Sequence, residues 1–265
     1  MNNKYILLAA NMLFNHRLNK TGLKSLPIKC IPQNVTEAYK IQNELKILYL
    51  SLSKNICIGK KVGCTNKLAQ EQINIYEPFY GNLFSRFREF SGCKLKLKNF
   101  YKPFIEPEIS FRIKKDININ DAPFKITECE KLFDSIVPSI EIVDFRFSEN
   151  IKEVGINNLI ATNGASEFWI SGKKHFSINA INLENQKIKL YSNNNLVEEG
   201  NTNNVLNNPI NSALWIINKL AYNGEPMLKG QYISTGTCTR AIPIISKGII
   251  KANFGKLGTV QLNYI

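Results

Sequence analysis

Histidine is scarce in this chain: only His16 and His175 occur among 265 residues. The six cysteines form no Cys-x-x-Cys pair and have no histidine partners at zinc spacing. Zinc sites and histidine-based catalytic triads need such groupings, so the sequence argues against both. Cysteines without pairing signals are typical of reduced thiols, which are either packed in the interior or lie on the surface. We therefore expect a cytoplasmic protein.

Long apolar runs are also missing. No run approaches the roughly 18 residues that a membrane-spanning helix needs. The apolar stretch 5–10 is short and is not followed by a small-residue cleavage site, as a secretory signal would be. The sequence therefore predicts neither a membrane partner nor a secretory signal.

The charge is strongly positive, with 34 lysines and arginines against 21 acids and a formal net charge of +13. A basic balance of this size is compatible with nucleic-acid binding. Here, however, the positive charge is mostly lysine spread along the chain, without an arginine-rich stripe or interleaved aromatics. The alternation at 94–98 favours a strand with a solvated lysine face. We expect no nucleic-acid partner, and the charge suits an anionic small-molecule substrate.

Helical patterns dominate the N-terminus and strand patterns the rest. A short first helix is predicted near residues 6–14, and a second begins after Asn34, which has the capping pattern with Glu37. Asn208-Pro209 predicts the start of a third helix, which Asn223-Gly224 ends. No repeat, linker or composition break marks a boundary. We predict an N-terminal helical cap over 1–55 on a β-rich body over 56–265, forming one domain.

Three glutamates stand out within apolar, strand-like sequence. Glu106 and Glu108 are two residues apart and would lie on the same face of a strand, and Glu141 lies in a second run between Ile140 and Ile142. Burying bare carboxylates is costly, and a shared cation removes that cost. An all-oxygen set without Cys or His suits Mg²⁺ or Mn²⁺. The alternative is three solvent-facing acids on edge strands.

Six motifs around these glutamates occur in the order that one known family shows. They are Lys-Val-Gly-Cys-Thr-Asn at 61–66, Gly-Asn-Leu-Phe at 81–84, Pro-Phe-Ile-Glu-Pro-Glu-Ile-Ser-Phe at 103–111, Glu-Ile-Val-Asp at 141–144, Asn-Gly-Ala-Ser at 163–166 and Gly-Glu-Pro-Met-Leu-Lys-Gly at 224–230. Together they resemble the 2-keto-4-pentenoate hydratase and 4-oxalocrotonate decarboxylase branch of the fumarylacetoacetate hydrolase superfamily. The resemblance implies an α+β fold, a mixed β-sheet roll with N-terminal helices packed on it.

The same resemblance implies an activity. Members of this branch are divalent-metal-dependent lyases of aromatic-compound catabolism that act on unsaturated 2-oxo (2-hydroxydienoic) acids. A Mg²⁺ or Mn²⁺ ion held by Glu106, Glu108 and Glu141 would chelate the 2-oxo acid and stabilise its enolate. From the enolate the family adds water, loses CO₂ or moves the double bond. The resemblance also implies a homo-oligomer.

Residue roles follow from the motifs by the same resemblance. Lys61 is implied as an active-site lysine that contacts the substrate, and Asn163 and Ser166 as polar substrate contacts, with Ser166 also catalytic. Thr235 and Gly236 resemble the substrate loop, where backbone N–H groups can hold an anion. Read without the family, Lys61 is a surface lysine beside Lys60, and the other segments are ordinary turns.

Two departures from the family pattern bear on the substrate and the acid–base chemistry, and a further one is Thr162, where the family has an aspartate before Asn163. The family carries aspartates around the proline of segment 76–81 for acid–base steps, but here the position after the proline is Phe79, and only Glu77 offers a carboxylate. We assign Glu77 to the catalytic set. Losing a positioned base costs about 10²–10⁴ in rate. Arg240 is also unexpected, and it suits a second substrate carboxylate, which predicts a preference for dicarboxylic substrates.

Two alternatives remain open at this stage. One is an acylpyruvate-type carbon–carbon hydrolase of the same superfamily, although a catalytic histidine is hard to assign from two candidates. The other is a catalytically degenerate member that binds a 2-oxo acid without turning it over.

Overall fold

Helices occupy the N-terminal part of the chain, and most of the remainder is strand. The computed structural model describes residues 1–72, 75–149 and 151–265. In these ranges the α-helices are α1 Asn3–Leu18, α2 Val35–Leu50, α3 Lys67–Gln72, α4 Cys129–Leu132, α5 Ile151–Val154, α6 Ile156–Ala161 and α7 Pro209–Tyr222. The strands are β1 Cys57–Gly63, β2 Phe79–Phe84, β3 Arg88–Phe90, β4 Cys93–Leu95, β5 Pro103–Ile113, β6 Phe133–Asp144, β7 Ser166–Ser171, β8 Lys187–Ser192, β9 Asn195–Asn201, β10 Tyr232–Thr237, β11 Ile242–Pro243, β12 Gly248–Asn253 and β13 Thr259–Tyr264.

The two N-terminal helices pack together and against the body. The α2 helix begins as its sequence predicts, because the Asn34 side chain accepts a hydrogen bond from the Glu37 N–H at 2.9 Å. Its apolar face and that of α1 bury a common cluster that also receives Phe84 from β2 and Leu159 from α6. The α1 helix is longer than the predicted 6–14. It begins at Asn3, where the Asn2 side chain caps it, and it continues to Leu18.

One mixed sheet contains eight strands, in the order β2-β1-β10-β5-β6-β7-β3, with β11 also paired to β5. The β1–β10 and β3–β7 pairs are parallel, and the others are antiparallel. The two longest strands, β5 and β6, lie at its centre and pair along almost their whole length. The centre of this sheet is therefore its most constrained part.

A second sheet of five strands, in the order β4-β13-β12-β8-β9, completes the roll. The odd-numbered residues of β5, such as Ile105 and Ile109, belong to one core cluster with Leu262 of β13 and Leu190 of β8. The even-numbered residues of β5 point to the opposite face, because side chains alternate along a strand. The alternation thus separates the core face of β5 from the face that carries Glu106.

Two further sequence predictions are confirmed, one fully and the other in part. The α7 helix begins at Pro209, and the Asn208 side chain accepts from the Ile210 N–H at 2.9 Å. The lysine alternation at 94–98 forms a strand only over β4, after which the chain turns at 97–99. Its partner strand β13 pairs as far as Tyr264, which lies opposite Leu95, and the Leu97 N–H donates to the Ile265 carbonyl at 3.0 Å. Of the helices described, none has the length and apolarity to cross a membrane.

Candidate metal centre

Glu106, Glu108 and Glu141 converge on one face of the central strand pair. Glu106 lies directly opposite Glu141 in the β5–β6 register, and Glu108 is two residues further along β5. One carboxylate oxygen from each residue lies within 4.8 Å of the other two. The antiparallel register and the period of two therefore bring together three acids that are 35 residues apart in sequence at most.

Two of the three glutamates are fully buried and only partly hydrogen-bonded. Glu108 Oε2 accepts from the Ser234 hydroxyl at 2.5 Å and from the Gly236 N–H at 3.1 Å. Glu108 Oε1 and Glu141 Oε1 accept no hydrogen bond within the described part of the chain, and Glu141 Oε2 lies 3.2 Å from Lys61 Nζ. Buried acceptors without partners are rare in native proteins. Their lone pairs all belong to the cluster, so a shared ligand would satisfy them.

Lys61, on β1, supplies the positive charge nearest this cluster. Its Nζ lies 3.2 Å from Glu141 Oε2, and both side chains are almost completely buried. Burial alone lowers the pKa of Lys61, but Glu141, Glu106 and Glu108 raise it more strongly, and its pKa is above the usual value. Lys61 therefore remains an ammonium ion at neutral pH.

The pKa values of two of the carboxyl groups, Glu106 and Glu108, are raised as well. Burial raises the pKa of Glu106 to about 7, with Glu141 adding to the increase and Lys61 opposing it. Burial, followed by repulsion from Glu141 and Glu106, raises the pKa of Glu108 well above its usual range. Without a further cation, the site therefore retains protons that ordinary carboxyl groups would have lost.

The donor set fits a divalent ion by both charge and chemistry. With all three carboxylates ionised, three negative charges face the single positive charge of Lys61, which leaves a net charge of −2. An ion of charge +2 would neutralise this excess. The donors are all carboxylate oxygens, which are the ligands of Mg²⁺ and Mn²⁺ rather than of softer metals.

A cavity of about 720 Å³ opens beside the cluster. Lys61 and Glu106 lie in its lining, together with Gly164, Gly236 and Thr237. Gly236 is required where it stands: its φ is +101°, and a Cβ atom there would lie 2.1 Å from Thr65 Oγ1. The cavity therefore extends from Glu106 to the predicted substrate loop.

The other residues predicted for the substrate loop and turn have structural contacts. Thr235 is buried, and its hydroxyl donates to the Ile109 carbonyl at 2.7 Å. Asn163 is buried too, with its side chain donating to the Asn82 carbonyl at 2.9 Å and accepting from the Asn82 N–H at 2.7 Å. Neither lines the cavity. Asn163 instead fixes the turn whose next two residues, 164 and 165, form part of the wall.

Two further predicted residues, Ser166 and Glu77, also lie outside the cavity lining. Ser166, at the start of β7, borders a separate small cavity with Arg17 and Glu167. Glu77 is exposed, and its carboxylate lies 3.3 Å from Lys219 Nζ. The structure does not bring either residue to the glutamates, because β7 turns Ser166 towards α1 and the loop before β2 carries Glu77 towards α7.

Arg240, which the sequence analysis assigned to a second substrate carboxylate, does not line the cavity. Its guanidinium is 85 % exposed and pairs with Glu198 of β9 at 2.7 Å. Its neighbour Ala241 lines the cavity instead, because alternate residues of this extended segment face opposite sides. The expected preference for dicarboxylic substrates therefore loses its structural basis.

Phe79 replaces the family aspartate inside the cavity itself. Its ring lines the wall and lies 5.5 Å from Lys61 Nζ. It is so close to Gly63 and Gly164 that a Cβ atom on either would lie under 3.0 Å from the ring. The ring therefore fills space where the family pattern places an acid.

The sequence reasoning missed several wall residues. Cys64 and Thr65 line the cavity, and burial raises the pKa of the Cys64 thiol to about 12, so it stays neutral. Phe104 and Val143 form the next register pair on the same face of the sheet as Glu106 and Glu141. The sequence could have indicated this pair, because Phe104 is two residues before Glu106 and Val143 is two residues after Glu141 on their strands.

The two histidines lie away from the site. His16 Nδ1 is 2.8 Å from the Thr21 hydroxyl, and His175 Nδ1 is 3.1 Å from the Ser135 hydroxyl. Neither histidine lines the cavity. A histidine-dependent hydrolytic mechanism therefore has no candidate base at this site.

Comparison with known proteins finds hydratases and decarboxylases of 2-oxo acids as relatives in sequence. No family model matches the chain. It is 24% identical to a 2-keto-4-pentenoate hydratase of Burkholderia vietnamiensis over 235 residues, covering 89% of this chain and 88% of the relative. It is 25% identical to a 4-oxalocrotonate decarboxylase of Pseudomonas putida over 270 residues, covering 100% of this chain and 98% of the relative.

A solved structure shares the fold. The 4-oxalocrotonate decarboxylase from Pseudomonas putida G7, complexed with magnesium and adipate, superposes with a TM-score of 0.89 at 24% identity. The match covers 100% of this chain and 99% of that one. The predicted α+β architecture of mixed sheets with packed helices is confirmed. In sequence over most of its length and in fold over all of it, the chain resembles the 2-keto-4-pentenoate hydratase and 4-oxalocrotonate decarboxylase branch.

Proposed function

We propose that this chain is a divalent-metal-dependent lyase that acts on an unsaturated 2-oxo acid by hydration or decarboxylation. The observation that carries the proposal is the buried cluster of Glu106, Glu108 and Glu141, with its excess negative charge and its unpartnered oxygens. Relatives named as hydratases and decarboxylases of such acids support it, as does the magnesium complex of the similar structure.

The three glutamates would hold Mg²⁺ or Mn²⁺. When bound, the ion supplies Lewis-acid stabilisation of the enolate that a 2-oxo acid forms. The protein contributes a rigid arrangement of ligands, because Ser234 and the Gly236 N–H hold Glu108 in place. Such fixed orientation of the ligands maintains metal affinity and reactivity.

Lys61 is proposed as the residue that binds and orients the substrate. The glutamates raise the pKa of Lys61 in the metal-free site, and its ammonium would donate a hydrogen bond to a substrate oxygen. Its ammonium is positioned by Glu141 on one side. Gly164 leaves room for the lysine stem, because a Cβ atom there would lie 3.3 Å from Lys61 Cε.

The cavity lining contains both polar and apolar residues. Thr65, Thr237 and the backbone at Gly236 form a polar side, and Phe79 covers the opposite approach to Lys61. We propose that Phe79 excludes water beside Lys61. A hydratase needs water at the distal carbons of its substrate, so the polar side is where water would enter.

The test is turnover of two substrates by the same preparation. 2-Hydroxypenta-2,4-dienoate reports hydration and 2-hydroxymuconate reports decarboxylation, with products separated and released CO₂ measured. We expect Mg²⁺-dependent conversion of at least one of them. A folded, metal-binding protein that converts neither would leave the non-catalytic binder as the explanation. Hydrolysis of an acylpyruvate without conversion of either dienoate would support the hydrolase alternative.

Three predictions from the sequence accompany this proposal. They are a cytoplasmic location, a homo-oligomer, and a helical cap over 1–55 on a body over 56–265. Support for the cap comes from the shared apolar cluster of α1 and α2. Sedimentation equilibrium would test the oligomer, and limited proteolysis between residues 50 and 57 would test whether the cap separates from the body.

A further inference from the structure

The cavity beside the glutamates is larger than a short 2-oxo acid requires. Its volume is about 720 Å³, and at about 30 Å³ of liquid volume per water molecule this is room for roughly two dozen waters. 2-Oxo-4-pentenoic acid has eight non-hydrogen atoms. A substrate anchored at the glutamates would therefore leave much of the cavity unfilled unless it carries a sizeable distal group.

The face that carries the glutamates becomes apolar in the next pair of the ladder. Phe104 lies opposite Val143, two residues outward from Glu106 and Glu141 on their respective strands. Both side chains line the cavity. The register thus places an apolar pair directly beside the acidic pair, where the distal carbons of a bound 2-oxo acid would extend.

Residues from outside the central strands continue this apolar surface. Phe145 follows β6, Ile151 begins α5, and Leu159 comes from α6. All three line the same cavity, and Phe79 closes it above Lys61. Together they form an apolar wall around the distal part of the cavity: Phe79, Phe104, Val143, Phe145, Ile151 and Leu159.

The charges at this end do not favour a second carboxylate. Of the described residues, the cations that line the cavity are Lys61 and Lys102. Lys61 is paired with Glu141, and Lys102 Nζ already donates to the Ser148 carbonyl at 2.6 Å. An acid, Glu149, lies in the same lining. A distal carboxylate would lose solvation against the apolar wall and would be repelled by the Glu149 carboxylate.

We propose that this chain takes an unsaturated 2-oxo acid whose distal end is a bulky apolar group, an alkyl chain or a phenyl ring, in preference to a dicarboxylic acid. The inference rests on the proposed function, because it assumes that the 2-oxo acid end binds at the glutamates. It reverses the substrate preference that Arg240 suggested in the sequence.

The test is calorimetric binding of three unreactive, saturated 2-oxo acids to the Mg²⁺-loaded protein. They are 2-oxopentanoate, 4-phenyl-2-oxobutanoate and 2-oxohexanedioate. Each buried methylene equivalent tightens binding about fourfold. The phenyl compound should therefore bind at least about tenfold more tightly than 2-oxopentanoate. The ratio of affinities between the phenyl compound and the dicarboxylate should be larger than this.

Two single-residue variants test whether the apolar wall binds the phenyl group. Phe104→Ala should weaken the phenyl compound about tenfold and 2-oxopentanoate much less, because the truncation removes wall contacts. Phe90→Ala, on the exposed end of β3, is the matched control and should change neither. Equal or tighter binding of the dicarboxylate would overturn the proposed specificity while leaving the proposed function intact. Failure of all three acids to bind with Mg²⁺ present would overturn both.

Discussion

Replacing Glu141 by glutamine tests the metal centre most sharply, because it changes one charge and almost no volume. Glu141 is fully buried, and its Oε1 accepts no hydrogen bond from the described residues. A unit charge pair about 4 Å apart is worth about 4 kcal/mol at an effective dielectric of about 20, so a divalent ion roughly doubles that value. The amide oxygen retains part of the attraction. We expect Mg²⁺ or Mn²⁺ affinity to fall about 100- to 10,000-fold.

The assay is calorimetric titration of Mn²⁺ into metal-free wild-type, Glu141→Gln and Glu106→Gln proteins, with folding checked by circular dichroism. Glu167→Gln is the matched control, because Glu167 is a buried strand glutamate paired with Arg17 and Arg146 and lies outside the metal cluster. It should lower thermal stability and leave Mn²⁺ affinity unchanged. Unchanged affinity in both Glu141→Gln and Glu106→Gln would refute the assignment of the site.

Further predictions concern protons and the surrounding residues. Metal affinity should rise between about pH 6 and 8, because binding displaces protons from Glu106, whose pKa is about 7, and from Glu108; a flat profile would contradict this. Metal-free stability should fall as pH rises from 4.5 to about 7, because the folded state keeps protons that the unfolded chain releases; denaturant titrations measure it. Lys61→Met should lower kcat/KM about 100-fold or more and retain metal. Arg240→Ala should change the substrate ratio by less than about twofold.

The sequence predicted the features that depend on local patterns. Asn34 and Asn208 begin helices as predicted, because a capping side chain satisfies backbone N–H groups within its own turn. The convergence of the three glutamates was also foreseeable, since Glu106 and Glu108 share a strand face and Glu141 lies in another apolar strand. The short helices α3 to α6 were not predicted, because four to six residues carry too little periodicity to detect.

The errors concern positions set by long-range packing. Arg240 and Ala241 are adjacent in sequence, yet only the alanine lines the cavity. Which of the two faces inward depends on how the segment before β11 lies on β5, and no local signal determines this. Ser166 was misplaced for a similar reason: β7 turns it towards Arg17, a residue 149 positions away. Family motifs identify the segments of the site but not the direction of every side chain.

Substrate contact with the metal is the central claim, and Mn²⁺ makes it directly measurable. Pulsed electron paramagnetic resonance of the Mn²⁺-loaded protein, with 2-oxopentanoate labelled with ¹³C at C1 and C2, reports carbon nuclei near the ion. The proposed site predicts ¹³C coupling from both labels in wild type and its loss in Glu141→Gln. Mn²⁺ bound at the glutamates without ¹³C coupling at saturating 2-oxopentanoate would contradict the assignment of a metal-dependent 2-oxo-acid site.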